Sequence, residues 1–499
     1  MPKNTGNNSG GKRPPNASGL GKKPRPSKTD GVKKPINYVK DDTPRMDRPR
    51  KVASTMPQTN KRLGEFVVDR FGHDGRGVAS LEGKTLFIDG ALAGETVTAR
   101  LVEEHPRYIE ARVDQVLVAA PRRVTPPCAH FAECGGCQLQ YMALEQQLEV
   151  KQEALLEQLL RWGGVSPQQL LPPITSAGQG YRHRARLGVW YEADGSVTLG
   201  FRQKQSKNLV HIEQCWVLAP VLNQLLAPLH LWLTELRAQK PVTHMELIAA
   251  ADGAVVIVRH TKNLAAADLS SLQQLATTQG CQIWLEPNGD LGLTDLQGES
   301  CDPRVTYITA DSAQSLAFHP QDFTQVNPQV NQAMVQQAVN LLELKPGQRL
   351  LDLFCGIGNF TLPLAQHCAE VIGIEAVPAM VERGRENAER LGISNAKFIA
   401  GNLADMTHTQ LQRLCGKVDA ILLDPPRDGA KDIIANIQQL VARKQLLVPR
   451  IVYVSCNPAT LARDAKLLAD AGYILAAAGV LDMFPHTSHV ESMALFLLE

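Results

Sequence analysis

Apolar runs of about five residues alternate with amphipathic stretches from about residue 341 to the C terminus. Buried strands are predicted at residues 349–353, 371–375, 421–423 and 452–455. Strands and helices that alternate in this way are typical of a parallel sheet with helices on both faces. We therefore predict an α/β catalytic domain over residues 326–499, with its ligands beyond the carboxyl ends of the strands.

A different pattern precedes this domain, because residues 63–117 alternate apolar and polar positions in short runs that end at glycines. Strands are predicted at residues 64–69, 84–90, 96–102 and 109–113. Several short strands in so little chain predict a small OB-like barrel. Barrels of this kind bind single-stranded nucleic acid on an exposed sheet face.

The chain between these two parts, residues 118–325, carries mixed signals. Leucines and alanines recur at helical spacing between residues 140 and 170, until Gly163 and Gly164 interrupt the run. From Tyr181 to about Tyr307 the pattern is strand-rich and suggests antiparallel pairing. We predict a central α+β domain here.

The charge of the chain is concentrated at its N terminus. Residues 1–62 contain 16 Lys and Arg against 4 Asp and Glu, and they include few large apolar side chains. Such a segment is predicted to be disordered, and it favours binding to nucleic acid, or it serves as a solubilising extension. Neither a secretion signal nor a long apolar run is evident, so a cytoplasmic protein without a membrane segment is expected.

Three of the ten cysteines lie close together in a turn-rich segment. Cys128, Cys134 and Cys137 have the spacing C-x5-C-x2-C, and Cys215 is the best candidate for a fourth ligand because it lies outside the predicted helices and strands. Four cysteines suit either a [4Fe-4S] cluster or a structural zinc ion. The spacing alone leaves both possibilities open.

A glycine turn at residues 354–359 follows the first predicted strand of the catalytic domain and lets a cofactor approach the backbone. The next strand ends at Glu375, 19 positions after Gly356, where a carboxylate can accept hydrogen bonds from ribose hydroxyls. A polar turn around Asn402 suits an adenine edge, and Asp424 begins the motif Asp-Pro-Pro-Arg. S-adenosylmethionine fits these parts better than NAD, because G-x-G-x-x-G is absent.

Cys456 stands at the end of the predicted strand 452–455, where α/β enzymes place their chemistry. Such a position suggests a thiolate nucleophile, although a cysteine after a strand can also be a small buried hydrophobic residue. Glu491, about 35 residues later, could return a carboxylate to the same cleft. A thiol and a base in one pocket would constitute a reactive pair.

Several of these motifs together resemble the bacterial uracil-C5 RNA methyltransferases, over residues 63–499. The motifs are the cysteine pattern, Asp322-Phe323-Thr324-Gln325-Val326-Asn327, Asp352-Leu353-Phe354-Cys355-Gly356-Ile357-Gly358-Asn359-Phe360, Asp424-Pro425-Pro426-Arg427, Ser455-Cys456-Asn457-Pro458 and His489-Val490-Glu491-Ser492. The resemblance implies a class I S-adenosylmethionine-dependent methyltransferase with a Rossmann-like mixed sheet, an N-terminal TRAM barrel that binds RNA and a central iron–sulfur domain.

The resemblance also assigns roles to individual residues. Cys456 is the expected nucleophile and Glu491 the expected base. The residues expected to line the cofactor and the target base are Gln325, Phe354, Asn359, Glu375, Asn402 and Asp424. The residues expected to hold a [4Fe-4S] cluster are Cys128, Cys134, Cys137 and Cys215. Because barrel and cluster occur together, the expected substrate is a single-stranded or loop region of 23S ribosomal RNA, modified by a monomer.

Three other functions compete with this prediction. An exocyclic-amine methyltransferase would need an aromatic ring where Arg427 stands, and it has no use for a cysteine at a strand end. Methylation of a transfer RNA uridine would use the same chemistry on another RNA. A non-catalytic, redox-responsive RNA-binding protein would use the barrel, the tail and the cluster without binding the cofactor.

Overall fold

The computed structural model describes residues 61–72, 74–236, 240–288, 292–308, 315–415, 418–445 and 448–499. Residues 1–60 of the basic tail therefore lie outside the described residues. In the described part of the chain, no helix combines the length and the apolar character that a membrane crossing requires.

Six strands form the N-terminal sheet. They are β1 (Arg62–Val67), β2 (Arg70–Phe71), β3 (Gly77–Leu81), β4 (Lys84–Asp89), β5 (Thr96–Glu104) and β6 (Tyr108–Val118). They pair in the order β1-β5-β6-β4-β3-β2. Alternate residues such as Leu86, Ile88 and Val97 are buried in its core, because successive side chains of a strand point to opposite faces. The alternating sequence pattern thus reflects a sheet with one buried face.

The central helix is shorter than the apolar spacing predicted. α1 spans Leu144–Gln158 and continues as a π-helical turn, Leu159–Gly163. Gly164 ends it with a left-handed backbone (φ 64°), a conformation that glycine adopts without strain. Leu155 and Leu159 belong to the same buried core cluster as Leu461 and Ala462 of the catalytic domain.

The strand-rich segment forms an eight-stranded sheet followed by a hairpin. Its strands are β8 (Arg184–Tyr191), β9 (Val197–Arg202), β10 (Leu209–His211), β11 (Val242–Ala250), β12 (Gly253–His260), β13 (Cys281–Pro287), β14 (Leu293–Thr294) and β15 (Ser300–Cys301), and the hairpin is β16 (Val305–Ile308) with β17 (Ser315–Phe318). The order of strands in the sheet is β10-β9-β8-β11-β12-β13-β14-β15. Most neighbours are antiparallel, as predicted, but β12 and β13 are parallel.

Two helices in this segment were missed by the strand-rich interpretation. They are α2 (Pro220–Thr234) and α3 (Ala266–Gln279). The six buried side chains of α2, at positions 222, 225, 226, 229, 232 and 233, follow helical spacing, a signal that the strand-rich interpretation overlooked. α3 connects β12 to β13, and a parallel pair needs such a crossover connection.

The C-terminal sheet has the order β20-β19-β18-β21-β22-β24-β23-β7. Its strands are β7 (Gln169–Leu170), β18 (Arg349–Leu353), β19 (Glu370–Glu375), β20 (Ala396–Ala400), β21 (Ala420–Leu423), β22 (Arg450–Ser455), β23 (Tyr473–Leu481) and β24 (Glu491–Leu498), and its helices are α4 (Pro328–Leu342), α5 (Thr361–Ala365), α6 (Pro378–Arg390), α7 (His408–Cys415), α8 (Lys431–Ala442) and α9 (Pro458–Asp470). The first five strands in this order are parallel, whereas β24 runs antiparallel to both neighbours. The start of β24 consequently lies at the edge where the parallel strands end.

Candidate active site

Cys456 and Glu491 meet at this edge of the sheet. Ser455 of β22 pairs with Ser492 of β24. Cys456 is the residue after Ser455 and Glu491 is the residue before Ser492, so the antiparallel register places them side by side. Glu491 is only 4% exposed, and Cys456 is half-buried. The thiol and the carboxyl that the sequence predicted to share a cleft are therefore neighbours.

Asp424 joins this pair from the next strand. It follows β21, and its backbone N–H donates to the Leu353 carbonyl oxygen at 3.2 Å. Burial, together with the charges of Glu491 and Asp424, raises the pKa of Cys456 to about 12. Burial raises the pKa of Glu491 to about 8, with a contribution from Asp424, and burial raises the pKa of Asp424 to about 7. The three groups thus act on one another electrostatically.

Arg427 counteracts this accumulation of negative charge. Its guanidinium lowers the pKa of Cys456 and of Glu491, although burial dominates the shift of both groups. One of its nitrogens lies 3.3 Å from Nδ1 of His489. Burial in this site favours a neutral thiol and a protonated Glu491, and a positive charge placed nearby would favour their ionised forms.

The glycine turn after β18 has the shape expected for close cofactor approach. Phe354 takes a left-handed backbone (φ 66°), and its N–H donates to the Ile374 carbonyl oxygen at 2.9 Å. At Gly358 (φ 99°), an added Cβ would lie 2.9 Å from the Leu362 side chain and 3.0 Å from the Phe398 ring. Only glycine therefore fits this point of the turn.

Glu375, at the end of β19, fixes this turn. Its Oε2 accepts a hydrogen bond from the Gly356 N–H at 3.2 Å, and its Oε1 accepts one from the Val377 N–H at 2.9 Å. Burial raises its pKa despite these bonds. The carboxylate predicted to meet ribose hydroxyls thus also joins the turn to the start of α6, and each oxygen retains a lone pair for a ligand.

The other predicted cofactor residues are arranged around the same edge. Asn359 exchanges two hydrogen bonds of 2.9 Å with Asn331 of α4 and accepts a third from the Tyr307 hydroxyl at 3.1 Å. Asn402 follows β20 and donates to Asp405 at 2.8 Å. Gln325 is half-buried and stands three residues before the start of α4. Four of the predicted residues therefore stand at or just after the ends of four adjacent strands: Phe354, Glu375, Asn402 and Asp424.

Asp352 is a buried acid of this site to which the sequence motifs assigned no role. It lies within β18 and is fully buried, and its Oδ2 accepts a hydrogen bond from the Thr361 hydroxyl at 2.5 Å. Among the described residues, its Oδ1 has no hydrogen-bond partner. Burial raises its pKa to about 7, and the charges of Asp424 and Glu375 add to the shift. The sequence signal that could have identified Asp352 is a carboxyl within an apolar strand, because burying a carboxyl without a hydrogen-bond partner costs free energy.

The four cysteines predicted to bind a cluster lie in the same region of the fold, apart from Cys456. Burial raises the pKa of Cys137 to about 12, and the charges of Cys215, Cys134 and Cys128 contribute, so the four sulfurs lie within electrostatic range of one another. The Gly136 N–H donates to Cys134 Sγ at 3.4 Å. Within the described ranges, no group of three or more His, Cys, Asp or Glu side chains has the arrangement of a metal site.

Comparison with known proteins adds family relationships to this geometry. Residues 143–498 match the family model described as tRNA (Uracil-5-)-methyltransferase, and residues 61–113 match the TRAM domain. The chain is 43% identical to a protein of Alkalilimnicola ehrlichii over 87% of this chain and 96% of that one. It is 45% identical to a protein of Pectobacterium atrosepticum over 89% of this chain and 94% of that one. Both relatives are named 23S rRNA (uracil(1939)-C(5))-methyltransferase RlmD.

A solved structure has the same fold. It is the tRNA (uracil-54, C5)-methyltransferase of Pyrococcus abyssi in complex with S-adenosyl-L-homocysteine, at 23% identity and a TM-score of 0.66. The match covers 87% of this chain and 99% of that one. It confirms the prediction of a class I methyltransferase fold.

Proposed function

The chain belongs to the tRNA (uracil-5-)-methyltransferase family, and from this premise we propose that it transfers a methyl group from S-adenosylmethionine to C5 of a uridine in 23S ribosomal RNA. The observation that carries the proposal is the pair of Cys456 and Glu491 at the sheet edge, beside the glycine turn. The names of the relatives support ribosomal RNA as the substrate, and the TRAM match supports RNA binding.

The proposed reaction needs a nucleophile because uracil C5 is too weakly nucleophilic to take a methyl group directly. S-adenosylmethionine, when bound, supplies the electrophilic methyl group. The Cys456 thiolate adds to C6, and the electron pair displaced to C5 would accept the methyl group as its bond to the sulfonium sulfur breaks, so that S-adenosylhomocysteine leaves. Glu491 then removes the C5 proton, the C5–C6 double bond forms again, and the Cys456–C6 bond breaks. The target uridine must leave its stack to reach this buried pair.

The proposed cofactor pocket consists of Gln325, Phe354, Asn359, Glu375, Asn402 and Asp424. Glu375 in this pocket and Asp352 beside it are buried acids, and they suit a ligand that carries a positive sulfonium and an ammonium group. Because a cation favours the ionised forms of buried carboxyls, such a ligand would offset part of the cost of their burial.

Methylation of defined RNAs tests the proposed substrate. We expect the purified protein to convert one uridine of an unmodified 23S ribosomal RNA transcript to 5-methyluridine, as measured by mass spectrometry of nucleosides. Unmodified transfer RNA serves as the comparison. Methylation of transfer RNA in place of ribosomal RNA would refute the substrate, and methylation of an exocyclic amine would refute the reaction.

The rate at which methylated RNA is released should depend on pH. Glu491 must be ionised to accept the C5 proton, and its pKa is raised to about 8, so we expect the rate of release of methylated RNA from the adduct to rise through that pH. In Asp424→Asn, the rise in the pH–rate profile should move to lower pH, because Glu491 loses a neighbouring negative charge. The rate itself should fall. A wild-type rate that is flat between about pH 6 and 9 would contradict the role of Glu491.

Glu375→Gln should weaken cofactor binding. The amide keeps one oxygen but presents an NH₂ group to one of the two backbone N–H donors, Gly356 or Val377. Losing a hydrogen bond to a buried charge costs about 1.5–3 kcal/mol, so we expect the affinity for S-adenosylmethionine to fall roughly 10- to 100-fold in calorimetry. The affinity for RNA should change little. Glu389→Gln, an exposed position on α6, is the control.

The cysteine site is proposed to hold a [4Fe-4S] cluster through Cys128, Cys134, Cys137 and Cys215. Four converging thiols are the donor set of this cluster, and the Gly136 N–H directed at Cys134 is the kind of hydrogen bond that supports a ligating sulfur. We expect about four iron atoms per chain in anaerobically purified protein, and fewer in Cys137→Ser. Elemental analysis that finds zinc instead would refute the cluster.

A further inference from the structure

The loop between β23 and β24 leads directly into Glu491, and its shape is set by other elements. We refer to residues 482–490 as the base loop. Its carbonyl oxygens accept hydrogen bonds at Met483 from Asn327 Nδ2 (3.4 Å), at Phe484 from Lys151 Nζ (3.0 Å), at Pro485 from the Tyr181 hydroxyl (3.0 Å) and at His486 from the backbone N–H groups of Gln138 and Leu139 (2.9 Å each). Four consecutive carbonyls are thus bound from outside the loop.

Gln147 of α1 joins the base loop to the chain that follows the cysteines. Its Oε1 accepts a hydrogen bond from the His486 N–H at 2.8 Å. Its Nε2 donates to the carbonyl oxygens of Leu139 and Met142 at 3.1 and 2.8 Å. Gln147 is fully buried, so water cannot replace these bonds if the amide is removed. Leu139 stands only two residues after Cys137, so a single side chain contacts both segments.

His486 is the residue of the base loop on which these contacts converge. It takes a left-handed backbone (φ 66°), which is uncommon for residues other than glycine and persists when surrounding contacts hold it. Its ring is buried, and Nδ1 lies 3.3 Å from Gln147 Nε2. Burial lowers the pKa of the ring, so the neutral form that can accept this hydrogen bond is favoured.

A buried ion pair fastens the beginning of the same loop to the same helix. Lys151 Nζ lies 2.7 Å from Asp482 Oδ1, and the two side chains are 1% and 3% exposed. Lys151 follows Gln147 by four residues, so both side chains project from one face of α1. Breaking a buried ion pair is strongly destabilising, because one charge is left without a partner. α1 therefore holds the base loop at two points.

We infer that Gln147 is a positioning residue for catalysis: through His486 it couples the cysteine loop, residues 128–139, to the placement of Glu491. This inference rests on the proposed function of Glu491 as the base. It makes Gln147 a determinant of turnover, although it contacts neither RNA nor cofactor in the proposed reaction. It also implies that disturbing the cysteine loop changes proton removal at C5.

Gln147→Met tests the inference, because it removes every hydrogen bond of the amide at nearly constant size. We expect kcat to fall roughly 10- to 100-fold, as misplaced catalytic groups commonly produce, while the affinities for RNA and S-adenosylmethionine stay within about twofold. The rising limb of the pH profile should shift to lower pH as Glu491 gains solvent. Gln152→Met makes the same change further along α1, where the structure gives the amide no hydrogen bond to the base loop.

Two further results distinguish positioning from simple loss of folded protein. A merely structural role would lower the rate by the same factor at every pH, whereas mispositioning alters the profile. Hydrogen exchange at residues 483–490 should accelerate in Gln147→Met and in Cys137→Ser. If Gln147→Met melts before it can be assayed, His486→Asn replaces it, since asparagine tolerates a left-handed backbone and the variant loses the contacts of the ring with Gln147 and with the Gly178 backbone.

The outcomes separate this inference from the proposed function. An active wild-type enzyme whose Gln147→Met variant, or its His486→Asn replacement, keeps the pH profile and the exchange rates of the wild type would overturn the inference. A wild-type protein that does not methylate uracil C5 would instead overturn the function on which the inference rests.

Discussion

Cys456→Ser should abolish methyl transfer to RNA, with a loss of at least about 1,000-fold in the single-turnover rate. Serine is nearly the same size, but its hydroxyl is a far weaker nucleophile than a thiolate and has a much higher pKa in a site where burial already opposes ionisation. Binding of S-adenosylmethionine should persist, because the glycine turn and Glu375 are unchanged. Rapid-quench assays with radiolabelled methyl groups measure the rate.

The matched control is Cys301→Ser, which makes the same substitution at a half-buried strand residue of the central sheet. It should leave the rate within about twofold of the wild type, as expected for a substitution away from the site. Undiminished transfer by Cys456→Ser would end the proposal that a cysteine adduct activates uracil C5.

Glu491→Gln should stop the reaction after methyl transfer and leave the RNA attached to the protein. The glutamine amide cannot accept the C5 proton, so Cys456 cannot be expelled from C6. We expect multiple turnover to fall about 1,000-fold, within the range typical for loss of a general base, while a methylated covalent adduct accumulates. A denaturing gel with labelled RNA detects the adduct as a species that migrates more slowly than free RNA.

Two comparisons make this result specific. Glu389→Gln, on the exposed surface of α6, should turn over normally and accumulate no adduct. The double variant Cys456→Ser, Glu491→Gln should also form no adduct, which would assign the bond to that sulfur. A Glu491→Gln protein that releases methylated RNA at the wild-type rate would contradict the role of Glu491 as the base.

The sequence predicted the parallel part of the catalytic sheet well, because buried parallel strands leave a strong signal. The run at residues 349–353 coincides with β18, and the apolar run that precedes Cys456 coincides with the end of β22. Each is a short apolar segment bounded by polar or glycine residues, as expected for strands covered on both faces. These runs predicted the edge of the catalytic sheet at which the parallel strands end, and with it the position of the glycine turn.

The meeting of Cys456 and Glu491 could not be obtained from local pattern. It depends on the insertion of β24 between β22 and β23 and on the register that pairs Ser455 with Ser492. Strand order and register are set by long-range packing, whereas apolar periodicity reports only which residues are buried. The family resemblance assigned the two roles, and the sheet topology accounts for their proximity.

The contacts that hold Glu491 in place were also beyond the sequence patterns. Gln147 and Lys151 lie in a helix whose apolar spacing suggested only packing. Both are buried against partners that lie more than 330 positions away in the sequence, His486 and Asp482. From the sequence alone, a lysine is expected at the surface, and its burial is recognised only when its counter-ion is known. Side chains of this kind are identified by the tertiary structure.

The most direct test of the proposed mechanism uses RNA that carries 5-fluorouridine at the target position. Fluorine at C5 cannot be removed as a proton, so methyl transfer should leave the modified base bonded to the enzyme. After digestion with nuclease and protease, mass spectrometry should find the methylated nucleotide on the peptide that contains Cys456, in wild-type protein and only when S-adenosylmethionine is present. A nucleotide on another cysteine, or methylated RNA with no peptide attached, would contradict the mechanism.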